Sequence, residues 1–486
     1  MALRAASASS PRKFAYNLFA RTEVRNSRLR RRLIRVVAAA AARPDGCLTR
    51  VFRRRCERDA AYDMLSNEAL TPEHLDRAVA SATVEKAWEQ GVRSVVVGLD
   101  ASSMAVTDRA GKKGMGRIGT TKVKTRGLHV LTALATHSNR TPLGLCFQKY
   151  WARSIRKRRK KNSDRKQNRP MHEKETRHWL AAIHAIHALF TGPRPEDVEP
   201  CRAHIVMDRY GDKHTILRTA LELRDEIDIT VRASYNRRSG DPEFPLLRDK
   251  LRSLPARAHY ELEISAGAKR TARRARMEMT ASEVSLLLRD RATSKLEQVK
   301  LNALWVHETS PVPEGEQPIE WVLLTTCPID TVEQQYEVVR AYAQRWLIEE
   351  FHRTWKSGVC KVERTQLRNA LALEKWARIL ATVAVRAMEL TRKARAEPDL
   401  PAIKVLSEDE IDAAILLRKP EGVRVGARPP LGVVMEWIAY LGGYTGKSSG
   451  GPPGDIVIGR GMYEVTIVAA ALAAQRDFKA ANKRKR

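Results

Sequence analysis

Two short runs of β-branched and aliphatic residues each end on an aspartate, and they constrain the fold of this chain more than any other feature. Ser94-Val95-Val96-Val97-Gly98-Leu99 stops at Asp100, and the run from Ala203, ending Ile205-Val206-Met207, stops at Asp208. Apolar runs of this length and composition read as strands. A strand end holds its side chain at the rim of a rigid sheet. Facing carboxylates there can share two divalent ions about 3.5–4 Å apart and clamp the attacking and leaving oxygens of a phosphoryl transfer. Hard oxygen donors favour Mg²⁺, with Mn²⁺ able to substitute. A strand-end turn or cap accounts equally for either aspartate taken singly.

The segments around these runs change character along the chain. From Phe14 to about Ala87 the pattern is helical and arginine-loaded, including Arg28, Arg30, Arg31 and Arg32, with Leu29, Leu33 and Val36 at inward spacing and a turn at Pro44-Asp45-Gly46. Two basic helices around a turn suit docking on DNA, although a solvated basic face has the same composition. Strands follow at Leu128 to Ala135 and Leu143 to Lys149. A basic tract from Arg153 to Arg169, centred on Arg156 to Lys161, reads as an exposed loop beside DNA. An amphipathic helix spans about His172 to Phe190. From Ile227 to Thr326 the chain is mostly strands, at Ile229 to Ser234, His259 to Ser265, Val299 to Val306 and Trp321 to Thr325. Beyond Thr331 it reads helical to the end, interrupted at Gly442 to Gly454.

Charge narrows the partner. Lys and Arg number 88 against 56 Asp and Glu, a net +32 over 486 residues. An excess of this size suits a polyanion, since each cation facing a phosphate releases a condensed counterion. The longest uninterrupted apolar stretches, Val36 to Ala42 and Ile467 to Ala474, fall short of a bilayer span of roughly 20 residues, so no membrane partner is expected. Six scattered cysteines without a CxxC point to a reducing cytosol and away from zinc. The Arg-, Ser- and Ala-rich start imitates a transit peptide, but the basicity continues far past any removable segment. Gly111-Lys112-Lys113-Gly114 lacks the spacing of a phosphate loop and reads as a basic loop. The pair His184 and His187 has no nearby cysteine or carboxylate in sequence to complete a metal site.

A late helix carries the sharpest pattern, Tyr342-Ala-Gln-Arg345-Trp-Leu-Ile-Glu349-Glu350-Phe-His-Arg-Thr-Trp-Lys356. At about 100° per residue, Arg345, Glu349 and Lys356 fall within about 60° of Tyr342, whereas Glu350 lies about 80° away. A carboxylate flanked on its own face by a hydroxyl and two cations is organised to hold a metal-bound phosphodiester. A salt-bridged surface helix is the plainer alternative.

The spacing Tyr-x2-Arg-x3-Glu-x6-Lys resembles the signature of bacterial insertion-sequence transposases of the aspartate-aspartate-glutamate class, in the group that includes the transposase of the kanamycin-resistance composite transposon. The similarity continues through Leu99-Asp100, Val206-Met207-Asp208-Arg209, Ile319 to Thr326 and Trp437 to Tyr444. The resemblance implies an α/β protein. Its ribonuclease-H-like catalytic core, residues 88–370 with a β-rich insertion at about 227–330, would be flanked by a helical DNA-end-binding domain, 1–87, and a helical dimerisation domain, 371–486. It implies cut-and-paste transposition by nicking, hairpin formation and strand transfer, in a homodimer on double-stranded transposon ends and target DNA in the bacterial cytoplasm, at the nucleoid when bound. By the same resemblance Asp100, Asp208 and Glu349 are the catalytic ligands of two Mg²⁺ ions, and Tyr342, Arg345 and Lys356 hold phosphates. The resemblance also implies, through a weaker match, that Arg232 contacts DNA, and that Trp321 and Trp346 stack on or near a flipped base, with strand and helix packing the plainer explanation for each tryptophan. Where relatives carry tryptophans near the end, this chain has Gly459-Arg460-Gly461-Met462-Tyr463. A nuclease on the same core that cuts without joining, and a DNA-binding protein without catalysis, are the competing readings.

Overall fold

The computed structural model describes residues 10–108, 111, 113–119, 125–153, 170–264, 271–290, 293, 295–447 and 451–483, with side chains of the last helix through 476 and at 478. The expected basic loop at 154–169 and Lys112 of the glycine-lysine segment lie outside the described residues.

Five helices open the chain: α1 (Pro11–Phe19), α2 (Ser27–Ala42), α3 (Leu48–Val51), α4 (Arg55–Ser66) and α5 (Pro72–Glu89). The start of α2 is set by Asn26, whose side chain accepts from the Arg28 and Leu29 amides at 2.9 and 3.1 Å, satisfying two otherwise unpaired donors of the first turn. Leu29, Leu33 and Val36 turn inward as their spacing requires, while Arg28, Arg31 and Arg32 are exposed and Arg30 half-buried. Next come β1 (Ser94–Ala105), β2 (Gly116–Arg117), β3 (Arg126–Thr136), β4 (Pro142–Trp151), α6 (Thr176–Thr191), β5 (Arg202–Met207), α7 (His214–Glu222), β6 (Asp228–Arg232) and α8 (Leu247–Ser253). Four strands follow, β7 (Ala258–Ile264), β8 (Arg273–Arg289), β9 (Leu296–Glu308) and β10 (Glu320–Thr325), and then α9 (Val332–Gln344), α10 (Trp346–Lys356), α11 (Ala370–Ala396), α12 (Glu408–Arg418), α13 (Leu431–Leu441) and α14 (Asp455–Lys483). The chain is a mixed α/β protein.

The residues group into two compact units that interleave along the sequence, whereas the sequence reading divides it into three consecutive segments. One unit comprises Met1–Gln90, Ala101–Ile155 and Leu347–Arg486; the other comprises Gly91–Asp100 and Arg156–Trp346. Interleaving follows from burial. In the first unit the opening helices share a single apolar core with β3, β4, α10 and α11, through Phe19, Leu33, Met64, Leu134, Phe351, Trp355, Trp376 and Leu380. Lys375 of α11 is fully buried there, and its ammonium donates to the Leu65 and Asn67 carbonyl oxygens at 3.0 and 2.8 Å, closing the end of α4. The end of β1 runs beside β3, with the Val106 amide donating to Arg126 O at 3.0 Å, and β3 pairs antiparallel with β4. A second core in the same unit joins α12, α13 and one face of α14 through Ile411, Ile438, Ile458, Met462 and Val465. Helix α14 is long and apolar enough over Asp455–Arg476 to cross a bilayer by length and composition alone. Arg460 and Glu464 interrupt its apolar residues, and Ile458, Met462 and Val465 of the same helix are committed to this core.

In the second unit the first half of β1 pairs parallel with β5 and β5 parallel with β6, after which β10, β9, β8 and β7 continue the sheet antiparallel from β6. The intervening α6 makes the parallel β1–β5 pairing possible, since parallel neighbours need a crossover. The β-rich stretch contains one strand absent from the sequence reading, β8, the longest among the described residues at 17 residues.

Candidate active site

The parallel register of β1 and β5 matches Leu99 with Met207, so Asp100 and Asp208 are the next residues on two neighbouring strands. Asp208 leaves its strand there. It caps a single 3₁₀ turn, residues 209–211, by accepting from the Tyr210 amide at 2.8 Å. Asp100 does not end its strand: β1 continues five residues past it, to Ala105, because Ala101 to Ala105 lie along β3. Both aspartates are half-buried.

Within the second unit a series of side chains leads away from Asp100. The Arg345 guanidinium lies 3.9 Å from Asp100 Oδ2. Tyr342, only 4% exposed, has the Arg345 and Arg232 guanidiniums close enough to act on its hydroxyl and stacks edge-on against Trp321 with ring centroids 5.4 Å apart. Burial pushes the Tyr342 hydroxyl pKa up, and the two guanidiniums pull against that shift. Arg232 also donates to Glu320 O at 2.8 Å. Burial makes its guanidinium a weaker base than an exposed arginine; Tyr342 opposes that, and the like charges of Arg209 and Arg345 add to it. These residues come together for a topological reason: β10 pairs Leu323 with Arg232, so Trp321, two residues along the same face, is diagonal to Arg232.

Arg345 sits between α9 and α10 with helical dihedrals of φ −49° and ψ −32°, its amide donating to Tyr342 O at 3.0 Å in a tightened turn. The single helix read from sequence is thus two helices with a 3₁₀ step. Trp346 is 49% exposed.

The remaining signature residues belong to the first unit. Glu349 is half-buried in the opening turn of α10, whose Leu347, Ile348 and Phe351 enter the core. The Lys356 ammonium lies 3.4 Å from Ser102 Oγ and 3.9 Å from Glu363 Oε1, and Glu363 in turn accepts from the Ala105 amide at 2.9 Å. Glu350 pairs with Arg392 of α11. Trp355 is fully buried and donates to Ala377 O at 3.0 Å. His352 is buried as well, and burial, with Lys356 beside it, pushes its pKa down to about 3. His187 meets a carboxylate that its sequence neighbourhood lacks, Glu226.

As donors, Asp100 and Asp208 offer hard carboxylate oxygens from adjacent strands, the chemistry a divalent ion of the Mg²⁺ kind requires. Arg345 already lies beside one of these carboxylates. Among the described residues no cluster of three or more His, Cys, Asp or Glu side chains is close enough to hold a metal ion.

One residue important to this geometry has no distinguishing signal in the sequence. Asp212 is 1% exposed and accepts from the Ser234 amide at 2.6 Å, the Tyr235 amide at 3.1 Å and Arg237 Nε at 2.6 Å. It ties the turn after Asp208 to the end of β6.

A family model matches this chain over residues 121–386, described as the transposase DDE domain. The match covers more than half of the chain and includes Asp208 and Glu349, while Asp100 lies before its start.

Proposed function

The chain belongs to the transposase DDE domain family, and from that membership we propose that it catalyses cut-and-paste transposition of an insertion sequence through nicking, hairpin formation and strand transfer. The observation that carries the reading is the matched register of Asp100 and Asp208 on parallel strands, with Arg345 set against Asp100. A long strand bearing one aspartate and a parallel neighbour ending in the second also support a ribonuclease-H-like core. Asp100 and Asp208, joined by Glu349, are the proposed ligands of two Mg²⁺ ions, with Mn²⁺ able to replace them. Bound there, divalent ions would activate a water or hydroxyl and offset charge on the phosphate.

The other roles belong to the chain's own side chains. Arg345, Tyr342 and Arg232 offer guanidinium and hydroxyl donors to phosphate oxygens, and Lys356 supplies a further charge. Trp346 presents half of its surface to solvent and Trp321 braces Tyr342, an arrangement suited to stacking an extruded base. In sequence, water attacks a phosphodiester at the element end and frees a 3′-hydroxyl. That hydroxyl attacks the opposite strand and forms a hairpin. Water reopens the hairpin, and the same hydroxyl joins target DNA. Arg28, Arg30, Arg31 and Arg32 contact the element end, and residues 371–486 pair two chains so that both ends are cut together. The proposed site of action is the bacterial cytoplasm.

Purified protein incubated with a precut element end, a supercoiled plasmid and Mg²⁺ tests the reading. Joined product supports it, and cleavage or binding alone replaces it with a nuclease or a DNA-binding protein. Sedimentation of the DNA complex tests the pairing: two chains with two ends support it, and one chain completing excision contradicts it.

A further inference from the structure

Directly after Asp208, the 3₁₀ turn of residues 209–211 is fixed by one contact within itself and by two that tie it to β6 and its end. Asp208 caps the Tyr210 amide. Gly211 packs so closely that a Cβ there would lie 2.9 Å from Met207 Cβ and 3.0 Å from Val231 Cγ1. Asp212 accepts from the Ser234 and Tyr235 amides beyond the end of β6. Tyr210 is committed too, stacked on Trp179 with centroids 4.0 Å apart and with the Lys213 ammonium 3.9 Å from its ring centre. One long side chain of the turn is uncommitted. Arg209 is exposed, and among the described residues no hydrogen bond or ion pair engages its guanidinium.

β5 pairs Met207 with Val231, which sets Arg232 beside Asp208, and Arg209 is the residue after Asp208, near enough to Arg232 to act on its charge, as Arg345 does. Three arginines therefore gather beside Asp100 and Asp208, Arg345 by its 3.9 Å approach to Asp100 and Arg232 and Arg209 by register and sequence beside Asp208. The group carries excess positive charge before any divalent ion is added, and part of it is half-buried, so like-charge repulsion is only partly offset by water. A polyanion is the ligand that would balance it, and arginines bind phosphate oxygens through paired donors. We propose that Arg209 is a DNA-contacting residue that completes, with Arg232 and Arg345, a cradle for a backbone phosphate beside Asp208. This rests on the transposase reading and adds to it a residue with no role in the signature.

The test uses the full chain and a duplex carrying the element's own terminal sequence, with affinity measured across a salt series and thermal stability in parallel. Arg209→Gln should make the slope of log K against log salt shallower by about 0.9, the contribution of one phosphate contact, with melting unchanged. Arg209→Lys should keep the slope, and Arg289→Gln, at an exposed arginine ending β8, should leave it intact. An unchanged slope in Arg209→Gln overturns the cradle, as does an equal loss in Arg289→Gln or in Arg209→Lys. Asp100→Asn separates the two levels. If cleavage survives in that variant, the functional reading falls. If cleavage is lost while the Arg209→Gln slope is unchanged, only the cradle falls, and a wild-type chain that binds no DNA overturns both.

Discussion

Replacing Asp212 with alanine removes the acceptor that two backbone amides and the Arg237 guanidinium share. Asp212 has no exposed side-chain surface and Arg237 keeps only 14%, so water can replace little of what is lost. A hydrogen bond to a charged group contributes about 1.5–3 kcal/mol, and stranding one partner of a buried pair costs about 3–5 kcal/mol. These are views of the same loss, so the expected destabilisation is about 3–5 kcal/mol in total. For a unit of this size that lowers the melting temperature by roughly 10 °C. Asp212→Asn keeps an acceptor but not the charge, and should lose about half as much. Urea denaturation gives the free energy, and amide exchange at Ser234 and Tyr235 locates it, because those two amides lose protection first. Since the turn that carries Asp208 is fastened by the same contacts, strand cleavage should fall in Asp212→Ala and recover partly in Asp212→Asn. A midpoint within about 0.5 kcal/mol of wild type, the range of an ordinary surface change, would refute the reasoning.

Three further outcomes are expected. Asp100→Ala, Asp208→Ala and Glu349→Ala should each abolish strand cleavage in a gel assay while leaving end binding largely intact, and Glu350→Ala, which gives up the Arg392 pair, should be much milder. Neutralising Arg28, Arg30, Arg31 and Arg32 together should weaken binding and flatten its salt slope by up to about 3.6, at about 0.9 per phosphate contact; an unchanged slope places the contacts elsewhere. His204 is held at about 4 by burial, below the 6.5 of a free imidazole, with Nε2 2.7 Å from Thr230 Oγ1. The unfolded chain therefore takes up the proton first. The stabilisation is complete above pH 6.5 and falls toward pH 4 at no more than about 1.4 kcal/mol per unit, and His204→Gln should flatten that slope in denaturation measured against pH.

Where hydrophobic pattern and burial coincide, the elements were legible in the sequence. The β-branched runs before Asp100 and Asp208 are strands, and the inward stripe of α2 and the break between α13 and α14 fall where composition puts them. Strand β8 was not legible, because it opens Arg273-Arg274-Ala275-Arg276 and alternates charge with small or flexible apolar residues that lack strong strand preference. Its identity comes from pairing along its length with β9. The extension of β1 past Asp100 is likewise tertiary, since Ala101-Ser102-Ser103 has no strand pattern until β3 lies beside it. Of the proposed site, the spacing of Tyr342, Arg345, Glu349 and Lys356 was legible in the sequence, whereas the break at Arg345 that divides them between two helices was not. The turn-clamping role of Asp212 carried no signal there, since an acid that clamps a turn and one that faces solvent look alike in a single sequence.

Asp100 and Asp208 are the proposed ligands of a divalent ion during strand cleavage, and exchanging one oxygen donor for sulfur probes that role at the bond itself. In Asp208→Cys the softer thiolate should eliminate cleavage supported by Mg²⁺ and restore a measurable part of it with Mn²⁺, which accepts sulfur more readily. That metal-dependent rescue is expected in Asp208→Cys and not in Asp208→Ala. Undiminished Mg²⁺-supported cleavage by Asp208→Cys, or equal Mn²⁺ rescue of the alanine variant, would contradict it.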